Sequence, residues 1–208
     1  MSQRHHRRRA GARDGGFQVD DHPVVRKGIV QLIASEPGIS VIGEAESAYD
    51  GLELIRRLKP DVCVVDLTLK VISGMELIKS ERLEDKTRLL VISMHDERVY
   101  VERCLRLGAK GYVMKEEAAD AIVVAIHKVK AGGTYVSERL MAATVNRMVG
   151  GKPESLGKGG MVASLSDREL EVFHLIGRGY TTRAIAEELD LSVKRLRRKR
   201  RTSRPNWG

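Results

Sequence analysis

The chain has 208 residues and a formal net charge of +9, a length that holds one or two domains, each able to bury a core of its own. No apolar run approaches the roughly 18 residues needed to cross a bilayer, and no apolar stretch follows the basic first residues as a secretory signal requires. The expectation is therefore a cytoplasmic protein with no membrane partner.

Residues 1–16 carry five arginines and one aspartate and read as a disordered basic tail. From residue 17 short apolar runs alternate with amphipathic segments. The first run is only Phe17-Gln-Val19, directly after Gly15-Gly16. A central parallel strand that short forfeits packing and ladder bonds. The later runs are Ser40–Ala45, Val62–Val65, Leu89–Ile92 and Gly111–Met114. Three of them are nearly continuous and rich in β-branched residues, as strands buried on both faces must be. Helical spacing recurs between them at Val25/Ile29/Leu32, Leu54/Ile55/Leu58, Val101/Cys104/Leu105 and Ile122/Ile126/Val129. Strands alternating with helices imply right-handed βαβ units and a doubly wound α/β fold with a five-stranded parallel sheet over residues 17–134. Cys63 and Cys104 lie within apolar segments without metal-ligand spacing, which reads as reduced core thiols.

In such sheets the functional crevice lies at the carboxyl ends of the strands. Asp20 and Asp21 follow the first strand, Asp66 the third, Ser93 the fourth and Lys115 the fifth. Taken singly, these are solvated loop acids, a helix-capping serine and a surface lysine. Taken together they converge, although nearly a hundred residues of sequence separate them. Three converging carboxylates repel one another until something neutralises them, and a hard divalent cation such as Mg²⁺ does so while keeping positions open for phosphate. His22 reads as a loop side chain ahead of Pro23, a residue suited to the first turn of a helix.

The segments Val19-Asp-Asp-His-Pro23, Asp66–Met75, Val91–His95 and Gly111–Lys115 resemble the receiver domain of two-component response regulators. The resemblance implies that Asp66 is the phosphoacceptor, taking a phosphoryl group from a sensor histidine kinase. It also implies that Asp21, Asp66 and the carbonyl of Thr68 bind Mg²⁺ directly, with Asp20 acting mainly through water. Lys115 would pair with the phosphoryl group, Ser93 would swing to hydrogen-bond it, and Tyr112 would turn inward behind it. The switching surface would lie around the fourth and fifth helices.

A further amphipathic stretch, about Ser137–Met148, precedes the glycine-rich run 150–160, so residues 135–164 read as a helix and flexible linker. Leu165-Ser-Asp-Arg-Glu-Leu170 is then a capping box with a staple, in which Ser166 caps and Glu169 reaches back. That helix ends at the Gly177/Gly179 pair. A second helix has Thr181 or Thr182 as its cap and Ile185, Ala186 and Leu189 as its inner face. A turn at Asp190-Leu191 leads to Ser192, a cap for a third helix. By spacing alone this is a helical hairpin that suits protein or DNA. Residues 165–194 resemble the LuxR/FixJ-type helix-turn-helix domain of NarL-like regulators. That likeness assigns DNA contacts to Thr182, Ser192, Val193, Lys194 and Arg195, and makes DNA and a second copy of the chain implied partners.

After Lys194 the family pattern stops. Residues 195–208 carry seven positive charges, no acid, and only Leu196 as an apolar residue before Trp207. Such a basic tail cannot dock a helix face onto a core, and Pro205 blocks further helix. The helix-turn-helix domain is thus expected to be truncated, and the abrupt arginine enrichment at both ends reads as out-of-frame coding sequence. Two functions follow: a phosphorylation-switched transcription regulator, or a phospho-accepting receiver that acts through protein contacts without reading an operator. A stand-alone kinase or phosphatase is disfavoured, since the chain has no P-loop and no second acid–base pair.

Overall fold

The structure, a computed structural model, describes residues 14–69, 73–81, 87–94, 98–138, 140–141 and 165–192. Strands β1 (Asp14–Val19), β2 (Ile39–Ala45), β3 (Val62–Asp66), β4 (Arg88–Ser93), β5 (Gly111–Met114) and β6 (Tyr135–Val136) form one parallel sheet in the order β2-β1-β3-β4-β5-β6. Helices α1 (Pro23–Ala34), α2 (Ala48–Leu58), α3 (Gly74–Glu81), α4 (Arg98–Leu107) and α5 (Ala118–Lys130) make the crossovers. Two more, α6 (Asp167–Gly177) and α7 (Thr182–Glu188), pack on each other as a small helical unit.

Successive residues of a strand point to opposite faces, and the core divides on that rule. Phe17, Val19, Cys63, Val65, Leu89, Val91, Tyr112 and Met114 face a cluster with α2, α3 and α4. Val62, Val64, Leu90, Ile92 and Val113 face the other cluster, filled by α1 and α5. All five residues of β3 are buried, which is why Val62–Val65 is apolar without alternation before Asp66 ends the strand. Burying each such aliphatic side chain contributes roughly 1.5–3 kcal/mol of transfer free energy.

The sheet departs from the sequence reading at both edges of the receiver-like domain. Its first strand has six residues, not three, so residues 14–16 belong to the fold rather than to a disordered tail. Gly15 and Gly16 add no side chain to signal a strand, yet their backbones pair with Ser40 and Val41 of β2. Asp61 fixes the start of the strand: its carboxylate accepts from Gly15 N at 3.1 Å, and its own N–H donates to Gly15 O at 3.0 Å. The glycine is also spatial, because a Cβ at Gly15 would stand 2.7 Å from Ile42 Cδ1. The sheet has six strands rather than five, since Tyr135–Val136 pairs with Gly111 and Tyr112. The domain therefore runs past residue 134. Helix α1 buries Arg26, Ile29 and Ile33, about one residue round from the Val25/Ile29/Leu32 stripe that its apolar spacing favours. Residues 1–13, 142–164 and 193–208 lie outside the described residues, and most of the expected tails and linker fall there.

In the helical unit the capping box is present as read: Ser166 Oγ accepts from Glu169 N, while the Glu169 carboxylate accepts from Ser166 N at 2.9 Å. Thr181 caps α7, accepting from Ala184 N at 3.2 Å. Val172, Leu175, Ile185, Ala186 and Leu189 form its own small core.

Candidate functional site

The strand order puts β1 beside β3, and their register pairs Val19 with Val65. The next residues, Asp20 and Asp66, therefore emerge side by side at the carboxyl edge, and both are fully buried. Ligand atoms of Asp20, Asp21, His22 and Asp66 all lie within 4.8 Å of one another. From β5, two strands further on, Lys115 reaches back over the end of β4. Its Nζ stands 2.7 Å from Asp66 Oδ2 and 3.2 Å from Asp20 Oδ2.

The carboxylate of Asp66 is oriented from both sides. Thr68 N donates to Oδ1 at 3.1 Å, while Lys115 Nζ donates to Oδ2. The loop beyond it closes tightly, with Gly74 N donating to Leu67 O at 3.0 Å. Only glycine fits there, since a Cβ on Gly74 would stand 2.2 Å from the Asp66 carbonyl oxygen. Ser93 and Tyr112 are both buried, Ser93 opposite Met114 in the β4–β5 register and Tyr112 opposite Val91. Ser93 follows Ile92, the register partner of Asp66, and so lies at the same strand end, while Tyr112 lies within β5.

Electrostatics follow from the burial. Removal from water pushes the Asp66 carboxyl above the ordinary aspartate range, against the pull of His22 and Lys115 toward the charged form. Burial draws the Lys115 ammonium down, but Asp66 and then Asp20 outweigh it and leave it raised. Three carboxylates gathered around one ammonium concentrate anionic character at this edge, which a divalent cation would offset. The oxygen donors are of the hard type that such a cation takes.

One member of the cluster was not read from the sequence. His22, set aside as a loop side chain, caps the start of α1 with its Nδ1 2.8 Å from Asp21 Oδ1 and 3.8 Å from Asp66 Oδ2. Its pKa is raised, first by the Asp66 carboxylate beside it and then, against burial, by the Asp21 charge. The only signal for it was its position next to the acidic pair. Cys104 is a buried thiol, its pKa pushed up to about 12 chiefly by that burial, and Cys63 is buried within β3 with its Sγ 3.9 Å from Val64 O, so neither enters the site.

The helical unit contacts the sheet domain through α6. Asp167, buried, lies 2.7 Å from Lys79 Nζ of α3 and 2.9 Å from Arg103 Nη1 of α4. Arg103 also donates to Leu165 O at 2.8 Å, Tyr100 meets the His174 ring edge-on with centroids 6.0 Å apart, and Leu170 joins the core on the α2–α4 side of the sheet. Of the residues read as DNA contacts, Thr182 and Ser192 line the same open surface groove on this unit. Val193, Lys194 and Arg195 lie outside the described residues.

Residues 17–127 match the response regulator receiver domain family, and residues 163–196 match the bacterial regulatory proteins, luxR family. This chain belongs to the response regulators. It is 31% identical over 192 residues to the transcriptional regulatory protein DegU of Brevibacillus brevis, covering 86% of this chain and 81% of that protein. It is 33% identical over 179 residues to the oxygen regulatory protein NreC of Staphylococcus aureus (strain MRSA252), covering 84% and 82%. Among solved structures, a LuxR-family two-component response regulator from Aurantimonas sp. SI85-9A1 aligns with a TM-score of 0.62 at 32% identity, over 65% of this chain and 97% of that one. The flavodoxin-like receiver and the LuxR-type helix-turn-helix region are therefore its two functional parts, and the family is a regulator rather than a typical enzyme. No helix among the described residues is long and apolar enough to cross a membrane.

Proposed function

We propose that Asp66 accepts a phosphoryl group from a sensor histidine kinase and that the resulting aspartyl phosphate switches a transcription regulator. The observation that carries this reading is the Asp66 carboxylate itself, buried, pinned at one oxygen by Thr68 N–H and held 2.7 Å from an ammonium at the other. In the transfer an Asp66 oxygen forms a bond to phosphorus as the phosphorus–nitrogen bond of the donor imidazole breaks. The imidazole leaves with the electron pair and takes up a proton. Little covalent chemistry is asked of the protein; positioning and charge neutralisation do most of it.

Asp20, Asp21, Asp66 and the Thr68 carbonyl are the groups that would hold Mg²⁺, which supplies neutralising charge for the phosphoryl oxygens. Lys115 holds a phosphoryl oxygen from the opposite side. Ser93 donates its hydroxyl to another, and Tyr112 fills the space that this movement leaves. The test is incubation with a small acyl phosphate donor and Mg²⁺. Label that is stable to gel filtration but released by hydroxylamine supports an acyl phosphate; no label in a folded chain counts against it.

A second reading concerns the output. Residues 195–208 favour a receiver that signals through protein contacts, because seven cations with only Leu196 and Trp207 for apolar residues do not seat a recognition helix. In the first reading Thr182, Ser192, Val193, Lys194 and Arg195 contact an operator. In the second, DNA binding is electrostatic only, and it falls by roughly 10³-fold or more between 50 and 200 mM salt regardless of sequence. Operator binding that outlasts random-DNA binding at the higher salt decides for the first.

A further inference from the structure

A guanidinium is buried just behind the acidic pocket. Arg26, in the first turns of α1, has a side chain only 9% exposed, although it stands next to exposed positions on a surface helix. Its Nη1 donates to the Asp20 carbonyl at 2.7 Å and its Nη2 to Glu46 Oε1 at 2.6 Å, while Nε lies 3.4 Å from Glu44 Oε2. Both glutamates lie at or just beyond the end of β2, so the arginine ties α1, the Asp20 main chain and the β2 terminus to one point.

Asp20 is held at each of its polar groups. Its N–H donates to Ala45 O at 3.1 Å, its carbonyl takes the Arg26 bond, and its Oδ1 accepts from His22 N at 2.8 Å. The remaining oxygen, Oδ2, faces Lys115 across the pocket. Both flanking peptides are thus fixed, and the His22 N bond restrains the carboxylate they carry.

We infer that Arg26 is a positioning residue for the cation site, fixing the main chain of Asp20 so that its carboxylate is preset at the pocket. The role rests on the reading of Asp20, Asp21 and Asp66 as a divalent-cation site. Charge alone argues the opposite effect: a cation beside an anionic pocket repels Mg²⁺, so an arginine acting only through space would weaken binding. What Arg26 offers is the fixed fork of donors, which lysine cannot reproduce at two acceptors together. Partners that orient a ligand without touching the metal typically contribute 10- to 100-fold in metal affinity.

The experiment is direct calorimetric titration of the full chain with Mg²⁺, and separately Mn²⁺, for wild type, Arg26→Gln and Arg26→Lys, with circular dichroism as the check on folding. The expected result is a Mg²⁺ dissociation constant about 10-fold weaker in Arg26→Gln, partly recovered in Arg26→Lys. Equal or tighter Mg²⁺ binding by a folded Arg26→Gln, with only a lower melting temperature, overturns the positioning role. If Arg26→Gln does not fold, Arg26→Lys decides: weakened binding supports the role and unchanged binding overturns it. A wild-type chain that takes up neither ion overturns the cation-site reading and the role of Arg26 with it, whereas wild-type binding with no effect of either variant overturns the role alone.

Discussion

Asp167 and Arg103 form a 2.9 Å ion pair that joins the first helix of the output unit to α4 of the receiver. The same carboxylate meets Lys79 on α3 at 2.7 Å, so one buried acid is shared by two receiver helices. Losing one partner of a fully buried pair typically costs roughly 3–5 kcal/mol.

Because the Lys79 side chain is 42% exposed, solvent screens part of this contact. Asp167→Ala is therefore expected to weaken the attachment of the two units by about 1–2 kcal/mol. Small-angle scattering should show a larger radius of gyration, and the two units should melt further apart in temperature. A variant with unchanged radius and a single unchanged transition would show that the ion pair does not hold the units together.

Burial raises the Asp66 carboxyl. A carboxyl raised in the folded state contributes stability that is fully present below its unfolded value, about 4, and is lost as pH rises through the folded one. At neutral pH without Mg²⁺, ionised Asp66 thus works against folding. Asp66→Asn should melt several degrees higher than wild type in chelator, with the gap closing as the buffer is taken down toward about pH 4. Mg²⁺ at ten times its dissociation constant should add about 1.4 kcal/mol to wild type and less to the variant. An Asn variant melting at or below wild type at neutral pH would remove the electrostatic argument.

Gly74 leaves no room for a methyl group against the Asp66 carbonyl. Gly74→Ala should cost about 3 kcal/mol, the upper end of the overpacking range, because the obstacle is backbone and not a movable side chain. It should also slow phosphorylation by displacing the phosphoacceptor. Melting within a degree of wild type would mean that the β3–α3 loop yields more freely than its packing suggests.

The parts of this protein that were legible in its sequence are those where one physical demand dominates. Val62–Val65 and Leu89–Ile92 read as strands because both faces are buried, and Asp66 and Lys115 stood out because their strands deliver them to one edge. Gly15-Gly16 hid half of β1, since a residue without a side chain carries no hydrophobic signal while its backbone still pairs. A two-residue edge strand such as Tyr135–Val136 is too short for any period to show. Arg26 was invisible for the opposite reason: an arginine is read as solvent-facing, and its burial depends on acceptors from Asp20, Glu44 and Glu46 that only the fold assembles. His22 had the same difficulty, its importance lying in three carboxylates that approach from two strand ends.

The central claim is that Asp66 is the residue phosphorylated. The most direct measurement is to label the purified chain with a small phosphodonor and Mg²⁺, reduce the acyl phosphate with borohydride, and locate the reduced residue by peptide mass spectrometry, alongside Asp66→Asn. The account predicts modification at Asp66 alone and none in the folded Asn variant. Modification at another residue, or labelling that persists in Asp66→Asn, would contradict it.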